Sequence, residues 1–234
     1  GQLGLGHTRT IGDDEPIASV GTVDLGGARA LRITAGDRHT CALLTSGHVR
    51  CWGDNTHGQL GLGHTDALPP PTTDVPVGAP VQDLVAGGDH TCALLFSGRP
   101  RCWGANAYGQ LGYNRDDDVG DTELPSSAGD VDVGGTAVQL ALGTQHTCAL
   151  LDTGALRCWG ANAYGQVGNG NPDYATPLTA VALGSGLRAV QVAAGAQHTC
   201  ALLESGQLQC WGNGARGRLG YANTRSLSAP GAGA

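Results

Sequence analysis

One pattern recurs four times. Gly36-Asp-Arg-His-Thr-Cys-Ala-Leu-Leu-Thr-Ser-Gly-His-Val-Arg-Cys-Trp-Gly53, followed by Asp54-Asn55-Thr56-His57-Gly58-Gln59-Leu60-Gly61, returns from Gly87, Gly143 and Gly195. A supersecondary unit repeated at this interval does not bury its apolar face alone, so neighbouring copies must stack and share a core. Forty glycines and eleven prolines among 234 residues, without the three-residue period of collagen, indicate turn-rich modules. With 40% of residues apolar the chain has enough to fold, and short strands joined by glycine-rich turns fit both facts.

The cysteines sharpen the local reading. They fall into four pairs of equal spacing: Cys41/Cys51, Cys92/Cys102, Cys148/Cys158 and Cys200/Cys210. Each pair brackets a turn signal, Thr45-Ser46-Gly47, Phe96-Ser97-Gly98, Asp152-Thr153-Gly154 or Glu204-Ser205-Gly206. A three-residue hairpin loop places its glycine in the left-handed region, which costs glycine no steric penalty. Counting outward from that loop sets Leu44 against His48 and Cys41 against Cys51, within the distance a disulfide bridges. Reduced buried thiols are one alternative. A metal site using His39, Cys41 and Cys51 is another, but zinc cysteines usually stand two to four residues apart. Each disulfide would contribute about 2–3 kcal/mol in the chain-entropy model. Four of them imply an oxidising compartment: extracellular, periplasmic or cell surface.

Each module reads as a four-stranded antiparallel meander. Ala30 to Ala35 supplies the first strand, His39 to Leu44 and His48 to Trp52 the hairpin, and Gly58-Gln59-Leu60-Gly61 a fourth extended element. Period-two alternation sets Leu43 against Val49, Leu150 against Leu156 and Leu202 against Leu208, on the face that carries the cysteines. Pro100 opposes Leu94, so the second hairpin is expected to be the least regular. First strands end in small residues, Thr34-Ala35, Val85-Ala86 and Ala193-Ala194, suited to convergence on a narrow axis. The modules divide the chain into a partial element at 1–27 and blades at 28–78, 79–135, 136–186 and 187–234. Successive steps from Gln2 through Gln59, Gln110 and Gln166 to Arg218 are 57, 51, 56 and 52 residues, so long and short modules alternate. The long loops match in kind: Gly12-Asp13-Asp14-Glu15 corresponds to Gly120-Asp121-Thr122-Glu123. A pair of modules was therefore the duplicated unit. Residues 229–234 read as a loose tail.

The motif Gly-x-x-His-Thr-Cys-Ala-Leu-Leu, then Cys-Trp-Gly-x-Asn-x-x-Gly-Gln-Leu-Gly, resembles the repeat of the regulator of chromosome condensation family. The resemblance covers nearly the whole chain. It implies an all-β fold of β-propeller blades, here four full blades plus an extra N-terminal strand element, Gly1-Gln2-Leu3-Gly4. The Cys-Trp-Gly variant is similar to repeats of secreted bacterial members. Family members include a nucleotide-exchange factor for a small GTPase and a secreted inhibitor of β-lactamase, both acting through protein contacts. The N-terminal element lacks a hairpin of its own, which implies either a longer propeller or pairing with a second subunit.

Functional candidates follow from what the repeats keep and what they change. His39, His90, His146 and His198 recur at one position, which favours structural hydrogen bonding over catalysis, and Trp52, Trp103, Trp159 and Trp211 read as packing. Asn55, Asn106 and Asn162 are expected to bond backbone near their turns; Gly214 replaces them in the last copy. The residue before each Gly-Gln-Leu-Gly varies among His57, Tyr108, Tyr164 and Arg216, large hydrogen-bonding types that dominate interface energetics. These four are the candidate protein-binding residues. Acidic loops at Asp13, Asp14, Glu15, Asp116, Asp117, Asp118, Asp121 and Glu123 match no twelve-residue calcium loop and read as solvated charge. No catalytic or metal-ligating set and no cofactor motif emerges, so a non-enzymatic role is expected. The net charge of −7, with 13 basic residues, all arginine, against 20 acidic, opposes nucleic-acid binding. No apolar run is long enough to span a bilayer. The leading expectation is a secreted or cell-surface binding module. The alternative is an extracellular assembly subunit joined through open propeller edges.

Overall fold

The computed structural model describes residues 1–14, 16–66, 72–171 and 176–231. Glu15 and the end of the tail, 232–234, lie outside them. Four antiparallel three-stranded sheets follow one another along the chain. The first holds β1 (Ala30–Ala35), β2 (His39–Leu44) and β3 (Val49–Gly53), and the second β4 (Val81–Ala86), β5 (His90–Leu95) and β6 (Pro100–Gly104). The third holds β7 (Ala137–Leu142), β8 (His146–Leu151) and β9 (Leu156–Gly160), and the fourth β10 (Ala189–Gly195), β11 (His198–Leu203) and β12 (Leu208–Gly212).

Hairpin register is as the turn chemistry requires. Cys41 pairs with Cys51 and Leu43 with Val49, and the other blades repeat this. Four disulfides form, Cys41–Cys51, Cys92–Cys102, Cys148–Cys158 and Cys200–Cys210, each with a Cα–Cα separation of 4.1 Å. No cysteine is left as a free thiol among the described residues. The bridges differ in their surroundings. Cys148 and Cys158 are fully buried beneath the fourth blade, as the first two pairs are beneath their neighbours, whereas Cys200 and Cys210 are half-buried on the last blade. The 4.1 Å separation marks a non-hydrogen-bonded pair. Leu94 and Pro100, two residues further on, are a pair of the same type. The Pro100 nitrogen therefore points away from β5 and no ladder bond is lost, so the second hairpin is as regular as the others. The irregularities lie instead where the first strand of each blade meets the second, between Ala30 and Arg32 and at the equivalent positions.

The expected fourth strand is also placed differently. Gly58-Gln59-Leu60-Gly61 is a turn, with Gly58 and Gly61 at φ 71° and 73° and Gly61 N–H donating to Gly58 O at 2.8 Å. A positive φ at both glycines breaks the extended path. Gly1-Gln2-Leu3-Gly4 makes the same turn rather than a strand, Gly4 N–H reaching Gly1 O at 3.0 Å. The outer edge of each of the first three blades is met by a later segment through single backbone bonds: Val75 N–H to Val49 O, Val131 N–H to Pro100 O and Val181 N–H to Leu156 O.

Blades stack face to back. The cysteine face of the first blade (Cys41, Leu43, Val49) shares a core with Val81 and Leu84 of the second. On the opposite face Ala42, Leu44 and Trp52 pack against Val23 and Leu25. The first strands converge at their C-terminal ends on a groove of about 210 Å³ lined by Gly36, Gly87, Gly143, Gly195 and neighbouring alanines. The small residues make that convergence possible. A Cβ on Gly87 would lie 2.4 Å from the His90 ring and 2.5 Å from Gly143 O. The outer faces of the end blades remain partly uncovered. Ile33 is 71% exposed where its counterparts Leu84 and Leu140 are 5% and 4%, and Leu208 is 66% exposed where Val49 is fully buried.

Candidate functional site

The variable position is built by the invariant residues around it. Gly53, Gly104 and Gly160 leave the third strand at φ 114°, 102° and 99°, turning the chain into a loop. Asn55 closes that loop from inside: its Nδ2 donates to His64 O and Asp66 O at 2.6 and 3.1 Å, and its Oδ1 accepts Leu60 N–H at 3.0 Å. Asn106 makes the same three bonds to Arg115, Asp117 and Leu111. These bonds reach up to eleven residues along the chain, further than a local turn. Gln59 Oε1 then accepts His57 N–H at 2.8 Å, and Gln110 and Gln166 do the same for Tyr108 and Tyr164. The backbone at the variable residue is thus fixed from both sides while its side chain points outward. Tyr108 and Tyr164 are 40% and 43% exposed, large for aromatic residues on so rigid a frame.

Two of the four candidates depart from this pattern. His57 Nδ1 bonds Asp118 Oδ2 at 2.9 Å, tying the first loop to the acidic loop of the second blade. Asp118 Oδ1 also accepts Asn106 N–H, and Glu123 pairs with Arg115 at 3.2 Å, so part of the acidic cluster is engaged by the protein itself. Arg216 has φ 61° in a loop without the asparagine and glutamine clamps. A side chain at Gly214 is blocked, since its Cβ would lie 1.8 Å from Arg225 O. Repeat equivalence places all four residues at one structural position on successive blades.

Beneath these loops runs a buried chain of bonds that the hairpins alone do not reveal. Thr91 Oγ1 donates to Gln59 O at 3.2 Å, and Trp103 Nε1 donates to the same carbonyl at 3.0 Å. Gln110 O receives Thr147 and Trp159, and Gln166 O receives Thr199 and Trp211. Gln2 O receives Thr40 and Trp52, both at 2.9 Å, so the N-terminal element docks on the hairpin that follows it. Because each threonine hydroxyl gives its proton to a carbonyl, its oxygen accepts from His Nε2 of the preceding blade. His39 meets Thr91 at 2.8 Å, and His90 and His146 meet Thr147 and Thr199 at 2.9 Å. This arrangement assigns the neutral Nε2–H tautomer, since Nδ1 of each ring is buried with no partner among the described residues. Burial holds the imidazoles far below their ordinary value: His39 and His146 at about 4, and His90 at about 3 with help from His146 and His39. These three histidines are structural. Every sulfur near them, from Cys41 and Cys51 through Cys148 and Cys158 to Cys200 and Cys210, is consumed in a disulfide and is not available to a metal.

A second set of side chains escaped the sequence reading. Arg50 Nε donates to Asp74 Oδ1 at 2.7 Å, and Arg101 Nε to Asp130 Oδ1 at 3.2 Å. The arginine before the second cysteine in three of four modules was the visible signal; its carboxylate partners lie 24 and 29 residues later.

Two models of the regulator of chromosome condensation (RCC1) repeat match the sequence, one at residues 32–59, 81–110, 137–166 and 189–218, the other at 46–94, 102–150 and 153–202. The chain belongs to the RCC1 repeat family. Among RCC1-repeat relatives, the ultraviolet-B receptor UVR8 of Arabidopsis thaliana is 34% identical over 98% of this chain and 50% of its own length. The probable E3 ubiquitin-protein ligase HERC3 of Homo sapiens is 35% identical over 86% of this chain and 19% of its own. The chain therefore spans half or less of these curated relatives. Among solved structures, human WBSCR16 superposes with a TM-score of 0.75 at 22% identity, over 98% of this chain and 59% of that one. Yeast RCC1 (Prp20), solved bound to Kap60, gives 0.71 at 22% identity over 87% of this chain and 48% of its own. These likenesses establish RCC1-type β-propeller blades. Among the described residues no helix is long and apolar enough to cross a membrane.

Proposed function

We propose that this chain is a non-enzymatic, protein-binding segment of an RCC1-repeat propeller, working in an oxidising compartment outside the cytosol. The observation that carries this reading is the contrast within each loop. Asparagine, glutamine and glycine hold one backbone geometry, while the side chain presented at His57, Tyr108 and Tyr164 changes. A rigid frame with interchangeable aromatic and charged groups lowers the ordering cost of binding and supplies anchor residues. Arg216 extends the series at the fourth blade. The binding of Kap60 by yeast RCC1 supports protein partnership as a use of the fold, though not this partner. Four disulfides support the compartment, since such bonds persist where thiols oxidise. The test is capture from extracellular material by the unreduced protein and by the Tyr108→Ala/Tyr164→Ala/Arg216→Ala variant. A specific protein retained by the first and lost by the second, at unchanged melting temperature, supports the reading. Equal capture by both rejects it.

A second reading, assembly through open blade faces, is favoured by the exposure of Ile33 and Leu208. Light scattering of the unreduced protein tests it: a mass that grows with concentration supports assembly, and a strict 23.6 kDa monomer rejects it.

A further inference from the structure

The repeats serve as internal controls for one another, and among the described residues one of them lacks a partner that its sisters have. On the back face of each blade a residue precedes the second cysteine: Arg50, Arg101, Arg157 and Gln209. In the first blade the guanidinium is held by Asp74 and by Leu25 O. In the second it is held by Asp130, through both Nε and Nη2, and by Val77 O. The third blade keeps the same scaffold. Val181 N–H meets Leu156 O at 3.0 Å as Val75 meets Val49 and Val131 meets Pro100, so Ala180 stands where Asp74 and Asp130 stand. Arg157 and Ala180 also face each other as an isolated β-bridge. The guanidinium remains beside the same loop but is set differently: its Nη2 lies 3.9 Å from the Cβ position of Gly134, whereas Nη1 of Arg50 and of Arg101 lies 3.4 and 3.0 Å from those of the counterparts Gly26 and Gly78.

The Arg157 side chain makes no hydrogen bond or ion pair among the described residues, and its Nε–H is buried without an acceptor. A charged donor whose Nε–H is shielded from water and left without an acceptor is costly, and a carboxylate matches the fork geometry of the guanidinium. The position of Ala180 lies at the surface: the carboxylates that fill it in the sister blades are 38% and 30% exposed, although their arginines are only 14% and 11% exposed. Beside it stands Leu178, more than half exposed, with its side chain 3.3 Å from the Gly134 Cβ position. The site thus offers a charged fork next to an apolar wall. In the fourth blade the neutral Gln209 replaces the cation, so the unmatched guanidinium is particular to the third.

We propose that Arg157 is a carboxylate-binding site, occupied by the side-chain carboxylate of an aspartate or glutamate from a bound protein, in the place left by Ala180. The proposal rests on the protein-binding reading only for the source of the carboxylate. The charge and geometry of the site stand without it.

The experiment follows the Arg157 Nε–H resonance of ¹⁵N-labelled, unreduced protein, assigned with Arg157→Gln, a residue the fourth blade already carries at this position. Sodium acetate and an acetylated, amidated peptide with a single glutamate are titrated separately, with sodium chloride at matched ionic strength as reference. Saturable shifts with both ligands, absent with chloride, are expected. In Ala180→Asp the internal carboxylate should abolish both shifts and raise the melting temperature. A shift with acetate but none with the peptide overturns the assignment to a protein side chain. No saturable shift with either ligand, or shifts that survive in Ala180→Asp, overturn the site itself.

Discussion

Acid should unfold this protein through its histidines before its carboxylates matter. His39, His90 and His146 are held neutral, at about 4, 3 and 4, by burial against a glycine of their own blade and a threonine of the next. In the unfolded chain each titrates near pH 6.5. Since the folded values lie below the unfolded one, the unfolded chain binds more protons as pH falls. The stabilisation is therefore complete above about pH 6.5 and is lost progressively as pH falls towards 4. At pH 5 the loss is about 2 kcal/mol for each histidine and about 6 kcal/mol for the three, a large part of a typical domain's total stability of about 5–15 kcal/mol. Among the described residues Nδ1 has no hydrogen-bond partner in any of the three, so a proton added there gains no bond. The assay is urea denaturation of the unreduced protein between about pH 7 and 5, a window in which free carboxylates, near pH 4, contribute little. Free energy falling with a slope of two to three protons is expected. A flat profile to pH 5, with loss only in the carboxylate range, would refute the neutral-histidine reading.

Other expectations concern the same junctions. Thr147→Val removes the acceptor of His90 and one donor to Gln110 O, and should cost about 1–3 kcal/mol in chemical denaturation, whereas Thr147→Ser should cost far less. Gly87→Ala drives a methyl group into the His90 ring and Gly143 O, costing about 1–3 kcal/mol by overpacking. Gly195→Ala should cost less, because the three atoms nearest its Cβ all belong to the half-buried His198 ring rather than to backbone, and thermal melts of the two variants compare them directly. Replacing Cys92 and Cys102 together by alanine opens an eleven-residue loop and should lower the stability measured by urea denaturation by about 2–3 kcal/mol. Reductant should reach the half-buried Cys200–Cys210 bridge before the fully buried Cys148–Cys158 bridge, an order that timed alkylation and mass spectrometry would show.

What could be read from the sequence was what lies within one module. Glycine at the hairpin loop dictates the turn, the turn dictates that Cys41 faces Cys51, and period two then puts Leu43 and Val49 on the same face. The same count holds for Cys148 with Cys158 and Cys200 with Cys210, because the loop length is unchanged. Gly-Gln-Leu-Gly misled because its polar–apolar alternation mimics a strand, whereas both glycines take positive φ and the glutamine carbonyl serves the next blade. The His-Thr dipeptide shows the same limit. Both residues were visible and a hydrogen-bonding role was expected, but the histidine bonds the threonine of the following copy, 52 residues later for His39 and Thr91. The Arg50–Asp74 pair joins a strand to a loop with no shared motif, so nothing near either residue announces the other. Regular Leu94–Pro100 pairing depended on which way one nitrogen points, a matter of ladder phase rather than residue type.

The glutamine carbonyls give the array a direction. Each acceptor is already present before the threonine and tryptophan that will use it have been made, because Gln59 precedes Thr91 and Trp103 in the chain, as Gln110 precedes Thr147 and Trp159. During synthesis from the N-terminus every new hairpin therefore meets a prepared surface, while the histidine of the blade before it waits for that hairpin's hydroxyl. Growth by nearest-neighbour addition leaves a single unfinished junction at any moment, always at the youngest blade.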